Sequence, residues 1–175
     1  MNLDNEFWRY SLRTYALPGV AEQALQWQDE DGLNINLLLW CSWLESQDIE
    51  VGREHLRQAA AGLHDWDLEL IQPLRGVRRG IKGRDAGVFS QDESLISMKA
   101  QLSETELLAE QWAQAWLYGV ATDFLAEPES LHRSEVGIGG NVLLYFTEVF
   151  DTLEAAEHLA QRKHWLSLTK ATKSC

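Results

Sequence analysis

Residues Leu37 to Leu44 read LLLWCSWL, and Ser42 is the one hydroxyl among otherwise apolar side chains. A helix built on this run is apolar almost all round, so it must be a central helix surrounded by others. It is also too short to cross a bilayer. Asn34 stands where an N-cap belongs, its side chain able to accept from an N–H two or three residues on. Asn36 falls one turn inside and shares a face with Trp40 and Trp43. A buried amide there must find partners for its donors and its acceptor. The reading is a lock on the preceding loop or on a neighbouring helix, with ligand or partner contact as the alternative. The fold class expected is all-α: a single helical domain over residues 1–175, with about six helices around a central helix at about 34–47.

The remaining segments agree with a helical chain, since there are three prolines and little period-2 alternation. A first helix is capped by Asp4, with Phe7 or Trp8, Ser11, Leu12 and Tyr15 inward, and ends at Leu17-Pro18-Gly19. A second has Val20, Ala21, Ala24, Leu25 and Gln28 inward and stops at Gly32, with Pro18 near its first turn. A fourth runs from about Val51 to Ala61 and ends at Gly62. A fifth spans roughly His64 to Gly83, with Pro73 kinking or restarting it. Arg84 to Ser90 reads as a loop, and Ser90 with Glu93 makes a capping-box pattern. Leu95, Met98, Leu102, Thr105, Ala109, Trp112 and Trp116 then mark one long helix, which a second capping box at Ser103/Glu106 would divide. After a polar loop at Glu127 to Glu135, a last helix carries Val142, Tyr145, Val149, Leu153, Ala156 and Ala160 on one stripe. Gly32 to Trp40 also aligns with Gly137 to Tyr145, as a duplicated hairpin or a chance likeness of helix starts.

Composition restricts function. The 175-residue chain carries a net charge of −12, and its pI is about 4.8. Acidic proteins repel phosphate backbones unless a basic patch is segregated, so nucleic acid is disfavoured. The N-terminus MNLDNEFWRY has acids where a secretory signal carries positive charge, and no apolar stretch follows. The expectation is a cytoplasmic protein with no membrane association. Cys41 and Cys175 suggest reduced thiols, and no Cys/His spacing for zinc exists.

The strongest local charge feature is basic. Arg75, Arg78, Arg79, Lys82 and Arg84 crowd the end of the fifth helix, opposite a core-facing stripe of Leu70, Leu74, Val77 and Ile81. Arg75, Arg78 or Arg79, and Lys82 make a docking face for a phosphate-bearing ligand, RNA or an acidic protein. The alternative is a structural face, set by helix electrostatics and paired with the protein's own acids, because Asp65, Asp67 and Glu69 lead the same helix and the bases trail. Asp29, Glu30 and Asp31 sit at a helix C-terminus, where the dipole disfavours acids. Glu106/Glu110 and Asp123/Glu127 are i, i+4 acidic pairs of the kind magnesium–diphosphate sites use, and such pairs are common among 27 acids. Glu129-Ser-Leu-His132 has a di-iron spacing, but one copy where two are needed. Glu154/His158 reads as a surface pair. No nucleophile elbow, P-loop or dinucleotide fingerprint appears. No catalytic residue, metal or cofactor is therefore assigned. The eight tryptophans are read mainly as core, with Trp27, among Gln26, Gln28 and Asp29, the best placed for exposure.

Phe7-Trp8-Arg-Tyr-Ser-Leu-Arg-Thr-Tyr15, Pro18-Gly19-Val20, Gln28-Asp29, Gly32, Asn36-Leu-Leu-Leu-Trp-Cys-Ser-Trp-Leu44, and Pro73-Leu74-Arg75 with Arg78-Arg79 and Lys82 resemble a family of small bacterial proteins of unknown function. The likeness runs from residue 7 to about 118. That family tends to have leucine where Trp27 stands and an acid near Asn34. The resemblance implies an intracellular helical protein, and it carries no catalytic residue with it.

The residues together point to a non-enzymatic interaction or regulatory protein. It would dock a protein or small anionic ligand through Arg75, Arg78, Arg79 and Lys82, beside Asp29 and Asn36. The alternatives are RNA or nucleotide binding through the same face, and an enzyme with an unrecognised helical active site.

Overall fold

The structure, a computed structural model, describes residues 1–84, 93–126, 140–149 and 155–169. The chain is all-α, and the described residues contain no strand. It divides into two units, Met1–Ala60 with Gln114–Cys175, and Ala61–Ala113.

The first unit is organised around α3 (Ile35–Ser46), in which every residue from Ile35 to Leu44 is buried. Asn34 is its N-cap, with extended backbone and a side chain accepting from the Leu37 N–H at 3.2 Å. α1 (Glu6–Tyr15) and α7 (Gly140–Val149) pack on α3, and α8 (Ala155–Thr169) packs on α7 and on α2 (Val20–Glu30). Tyr145 brackets the entry to α3, accepting from Asn34 N at 3.0 Å and donating to Asn34 O at 2.9 Å. Asn36 is buried, and its Oδ1 accepts from Gln114 Nε2 at 2.9 Å. The Trp40 indole donates to Leu117 O at 2.9 Å. Ser42 Oγ lies 2.8 Å from the Tyr10 hydroxyl and accepts from Trp165 Nε1 at 3.2 Å.

The last turn of α3 fixes the start of α7. Glu45 accepts from Val142 N at 3.2 Å and from Arg162 Nη2 at 2.7 Å. An anion belongs at a helix N-terminus, where N–H groups lack intrahelical partners. Gly140 makes room for it: its φ is +67°, and a Cβ there would stand 2.5 Å from a Glu45 oxygen. Asn141 then clasps the backbone after α3, donating to Ile49 O at 2.6 Å and accepting from Val51 N at 2.8 Å.

Several sequence expectations are corrected here. α1 is capped by Asn5, whose Oδ1 accepts from Trp8 N at 2.8 Å, while Asp4 pairs with Arg9 at the surface. Its buried face is Phe7, Tyr10, Ser11 and Thr14, because Phe7 stacks on Trp43 and Tyr10 reaches Ser42. Leu12 is therefore exposed. α2 buries Val20, Ala24 and Trp27, and Leu25 faces out. Trp27, expected at the surface, is 6% exposed and packs on Phe146 and Trp165 at centroid distances of 5.3 and 5.8 Å. The single last helix is two, α7 and α8, although Phe150 to Glu154 contains neither Gly nor Pro to signal a division.

The second unit is built from two helical lengths. α4 (Arg53–Trp66) does not stop at Gly62; it continues through a π-helical turn, Asp67–Ile71, into α5 (Gln72–Arg84). Gln72 N bonds Asp67 O, five residues back. Pro73 follows at once. In a regular α-helix its ring would meet the carbonyl four residues earlier, and the wider turn relieves that clash. α6 (Glu93–Ala126) is unbroken over 34 residues, about 50 Å at 1.5 Å per residue. Ser103 does not cap a second segment. Its hydroxyl folds back to Lys99 O at 3.0 Å, as Thr105 does to Gln101 O at 2.8 Å. The buried residues of α6 are Glu106, Ala109, Ala113, Gln114, Ala115, Leu117 and Ala121, with Met98 and Trp112 exposed, so of the stripe expected from the sequence only Ala109 is buried. The loops expected at Arg84–Ser90 and Glu127–Glu135, the Ser90 cap, the Glu129/His132 and Glu154/His158 pairs, Leu153, Ala156 and Gly137 lie wholly or in part outside the described residues or side chains.

The Asn36–Gln114 bond makes a measurable demand. The Gln114 Oε1 is already buried without a partner. Asn36→Leu, by stranding the amide nitrogen as well, is expected to lower stability by about 1–3 kcal/mol. Asn36→Leu/Gln114→Leu should recover much of that loss, since removing both partners leaves no buried polar group unpaired. Urea denaturation of the two variants beside the unaltered chain checks both values.

Candidate functional site

Two of the basic residues singled out in the sequence, Arg75 and Arg78, meet acids of α6. Arg75 and Arg78 are one turn apart on α5, and Glu106 and Glu110 are one turn apart on α6. Arg75 bridges both carboxylates, donating from Nε to Glu106 at 3.2 Å and from Nη2 to Glu110 at 2.8 Å. Arg78 takes Glu106 as a fork, through Nε to one oxygen and through Nη2 to the other at 3.1 Å. Glu106 is the deepest member, its side chain 9% exposed, with Arg75 at 13%.

These surroundings act on the two acids in opposite directions. Burial pushes Glu106 up, but the hydrogen bonds and charges of Arg78 and Arg75 outweigh it and hold the carboxyl below its ordinary value. Burial also pushes Glu110 up, and there Arg75 offsets it only in part, with the Glu106 charge adding to the rise. Carboxylates driven apart in this way occur in acid–base sites and also in structural ion-pair networks. The four charges here sum to zero, which leaves little net field for an external anion.

Arg75 and Arg78 come together on Glu106 and Glu110, an acidic pair which by its spacing alone suggested nothing beyond a remote magnesium site. Arg79 is exposed on α5, and the side chain of Lys82 lies outside the described residues. Asp29 is exposed in the last turn of α2, and Asn36 is buried against Gln114. Asp29 and Asn36 belong to the first unit, and the four bases to the second. Cys41 is buried, and that burial, with the Glu45 charge, pushes its thiol far up, away from a reactive thiolate. Among the described residues no group of three or more His, Cys, Asp or Glu side chains is placed to hold a metal ion.

The sequence reading missed a surface of a different kind. Eleven large apolar side chains stand exposed among the described residues, and eight belong to the second unit: Trp66, Leu68, Val77, Ile96, Met98, Leu107, Leu108 and Trp112. Val77, expected to face the core, is 53% exposed. Trp66 and Trp112 lie with ring centroids 6.4 Å apart, 39% and 43% exposed. The Trp66 indole donates to Ala109 O at 3.0 Å, which fixes the ring. Leu108 is one turn from Trp112 on the same helix face. The available sequence signal was apolar residues in excess of one stripe on α6, which periodicity alone assigns to core.

Fold and surface together define an all-α protein in which no described helix is long and apolar enough to cross a membrane. The family model described as "Protein of unknown function (DUF2390)" matches residues 6–117, and the chain belongs to that family. The match runs from α1 into α6 and leaves α7 and α8 outside it. No curated protein and no solved structure matches the chain.

The ion cluster predicts a pH dependence with a definite sign. A carboxyl whose folded-state pKa lies below its unfolded value stabilises fully above the unfolded pKa, and the contribution is lost as pH falls through the folded value. Glu106 is such a group. Glu106→Gln is therefore expected to cost about 1.5–3 kcal/mol at neutral pH, with the difference vanishing as the solution is acidified well below about pH 4. Glu110 has the raised value and the opposite sign, its contribution fading as pH rises through the folded pKa. Glu110→Gln should consequently be far milder at neutral pH. Amide exchange across residues 61–113, followed against pH for both variants, measures this.

Proposed function

We propose that this chain is a non-enzymatic interaction protein whose docking surface lies on Ala61–Ala113. The observation that carries the reading is the exposed Trp66–Trp112 pair, held in place by the Trp66 indole bond, with Leu108 beside it. Scattered apolar residues on a surface need no explanation. The Trp66–Trp112 pair with Leu108 one turn away is different: two half-exposed tryptophans side by side, one of them held by its indole bond, are the kind of anchor that interaction hot spots use, where Trp is enriched.

The rim suggests the partner's chemistry. Asp65 and Glu69, exposed, flank Trp66 in sequence, and Asp67 is hydrogen-bonded to Gln72 at 2.8 Å. With a net charge of −12 over the whole chain, this surface fits a protein segment that presents aromatic or aliphatic side chains flanked by Lys or Arg, and long-range attraction would speed its approach. In this reading Arg75 and Arg78 hold the unit together through Glu106 and Glu110, and they position the surface without themselves receiving an anion.

Native co-purification with the full chain as bait identifies the partner, and purified components then measure it. Trp66→Ala/Trp112→Ala is expected to weaken that complex by about 30-fold or more, with helicity unchanged by circular dichroism. Added salt should weaken it further, more modestly. A partner whose affinity ignores the double variant overturns the reading. So does tight, steeply salt-dependent binding of an oligonucleotide that survives it.

A further inference from the structure

A cleft in the first unit has the makings of a small-molecule site. It lies where the first two turns of α4 face α7 and has a volume of about 370 Å³, within the range of ligand-sized pockets. Leu56, 2% exposed, and Ala60 and Tyr145 give it an apolar side, with Thr147 beside them. Its rim holds Arg53 and Arg57, with Glu148 beneath them.

The charge arrangement is unbalanced. Arg53 and Arg57 each approach Glu148 through Nε at 3.0 Å, one to each carboxylate oxygen. Two cations therefore share one anion, in a chain that is otherwise strongly acidic. Arg53 is also the first residue of α4, where the macrodipole disfavours positive charge. Among the described residues no other hydrogen bond or ion pair joins either guanidinium, so the Nη donors of both are available. Their side chains are 62% and 59% exposed, against 13% for Glu148. A carboxylate or phosphate lying across the two forks would complete the set with charge-assisted hydrogen bonds.

We infer that this cleft binds a small organic anion, its carboxylate or phosphate on Arg53 and Arg57 and its apolar body on Leu56, Ala60 and Tyr145. Glu148 is then the internal competitor that holds the two guanidiniums in place until the ligand arrives. This assignment is independent of the docking surface.

Titration of the full chain with acetate, butanoate, hexanoate, phenyl phosphate and inorganic phosphate, followed by NMR on backbone amides and arginine Nε–Hε groups, tests it. Affinity should rise along the carboxylate series, by up to about fourfold for each methylene buried. Hexanoate above phenyl phosphate identifies a carboxylate site, and the reverse order a phosphate site. Arg53→Gln/Arg57→Gln should abolish saturable binding without altering the fold, because both side chains are largely exposed. Glu148→Gln should tighten binding several-fold by removing the competing charge. Three results overturn the inference: no saturable binding to either the unaltered chain or Glu148→Gln, binding indifferent to the loss of both arginines, or inorganic phosphate binding as well as every organic anion.

Discussion

Because α3 is buried over ten consecutive residues, no polar atom on it can be left to water, and each must be met from another helix. That requirement orders the first unit. Ser42 is answered by Tyr10 of α1 and Trp165 of α8, Asn36 by Gln114 of α6, and Glu45 by α7 and Arg162 of α8. The apolar side chains supply most of the stabilisation, but they would tolerate helices rotated or slid by a fraction of a turn. The hydrogen bonds would not, since a small displacement leaves a buried donor or acceptor unpaired. Burial holds this unit together, and the few polar atoms on its central helix decide which arrangement of neighbours is stable.

The second unit solves the same problem differently. Its buried stripe on α6 includes Glu106, an acid where an apolar residue would ordinarily lie, and two arginines of α5 converge on it. Such pairs set register well and contribute less to net stability than apolar packing of equal volume. With the polar group turned inward, much of the apolar surface of these helices is turned outward. The exposed tryptophans and leucines are thus the counterpart of the ion cluster: the unit is fastened by charge and offers its hydrophobic residues elsewhere.

What could be read directly from the sequence was whatever depends on nearest neighbours along the chain. The N-cap at Asn34, the all-round burial of Leu37–Leu44 and the need for a partner at Asn36 follow from local chemistry, and the structure supplies each. Facing was harder. Trp27 sits among polar residues and is nevertheless buried, because the rings that cover it, Phe146 and Trp165, come more than a hundred positions later. Which acids, if any, would meet Arg75 and Arg78 was hidden for the same reason. Their partners lie 28 to 35 residues away, and an i, i+4 pair of glutamates gives no hint of what it will meet. A local rule also fails at Gly62, which lies inside α4 without ending it, whereas Pro73 does mark a break in the regular helix, the wide turn just before it.

The share of the chain that defines the family and the share that closes the core are not the same. The matched region ends at residue 117, at the residue whose carbonyl receives the Trp40 indole. Tyr145, Phe146 and Trp165, among the most completely buried side chains, all come later. A chain cut to the matched length would retain α3 and lose the helices against which one side of it rests, exposing its apolar side chains to solvent. In architectural terms the recognisable sequence is the mould and the last two helices are its lid. Any relative of this protein that keeps the Asn34–Leu44 segment must therefore find an equivalent lid, in its own chain or in another.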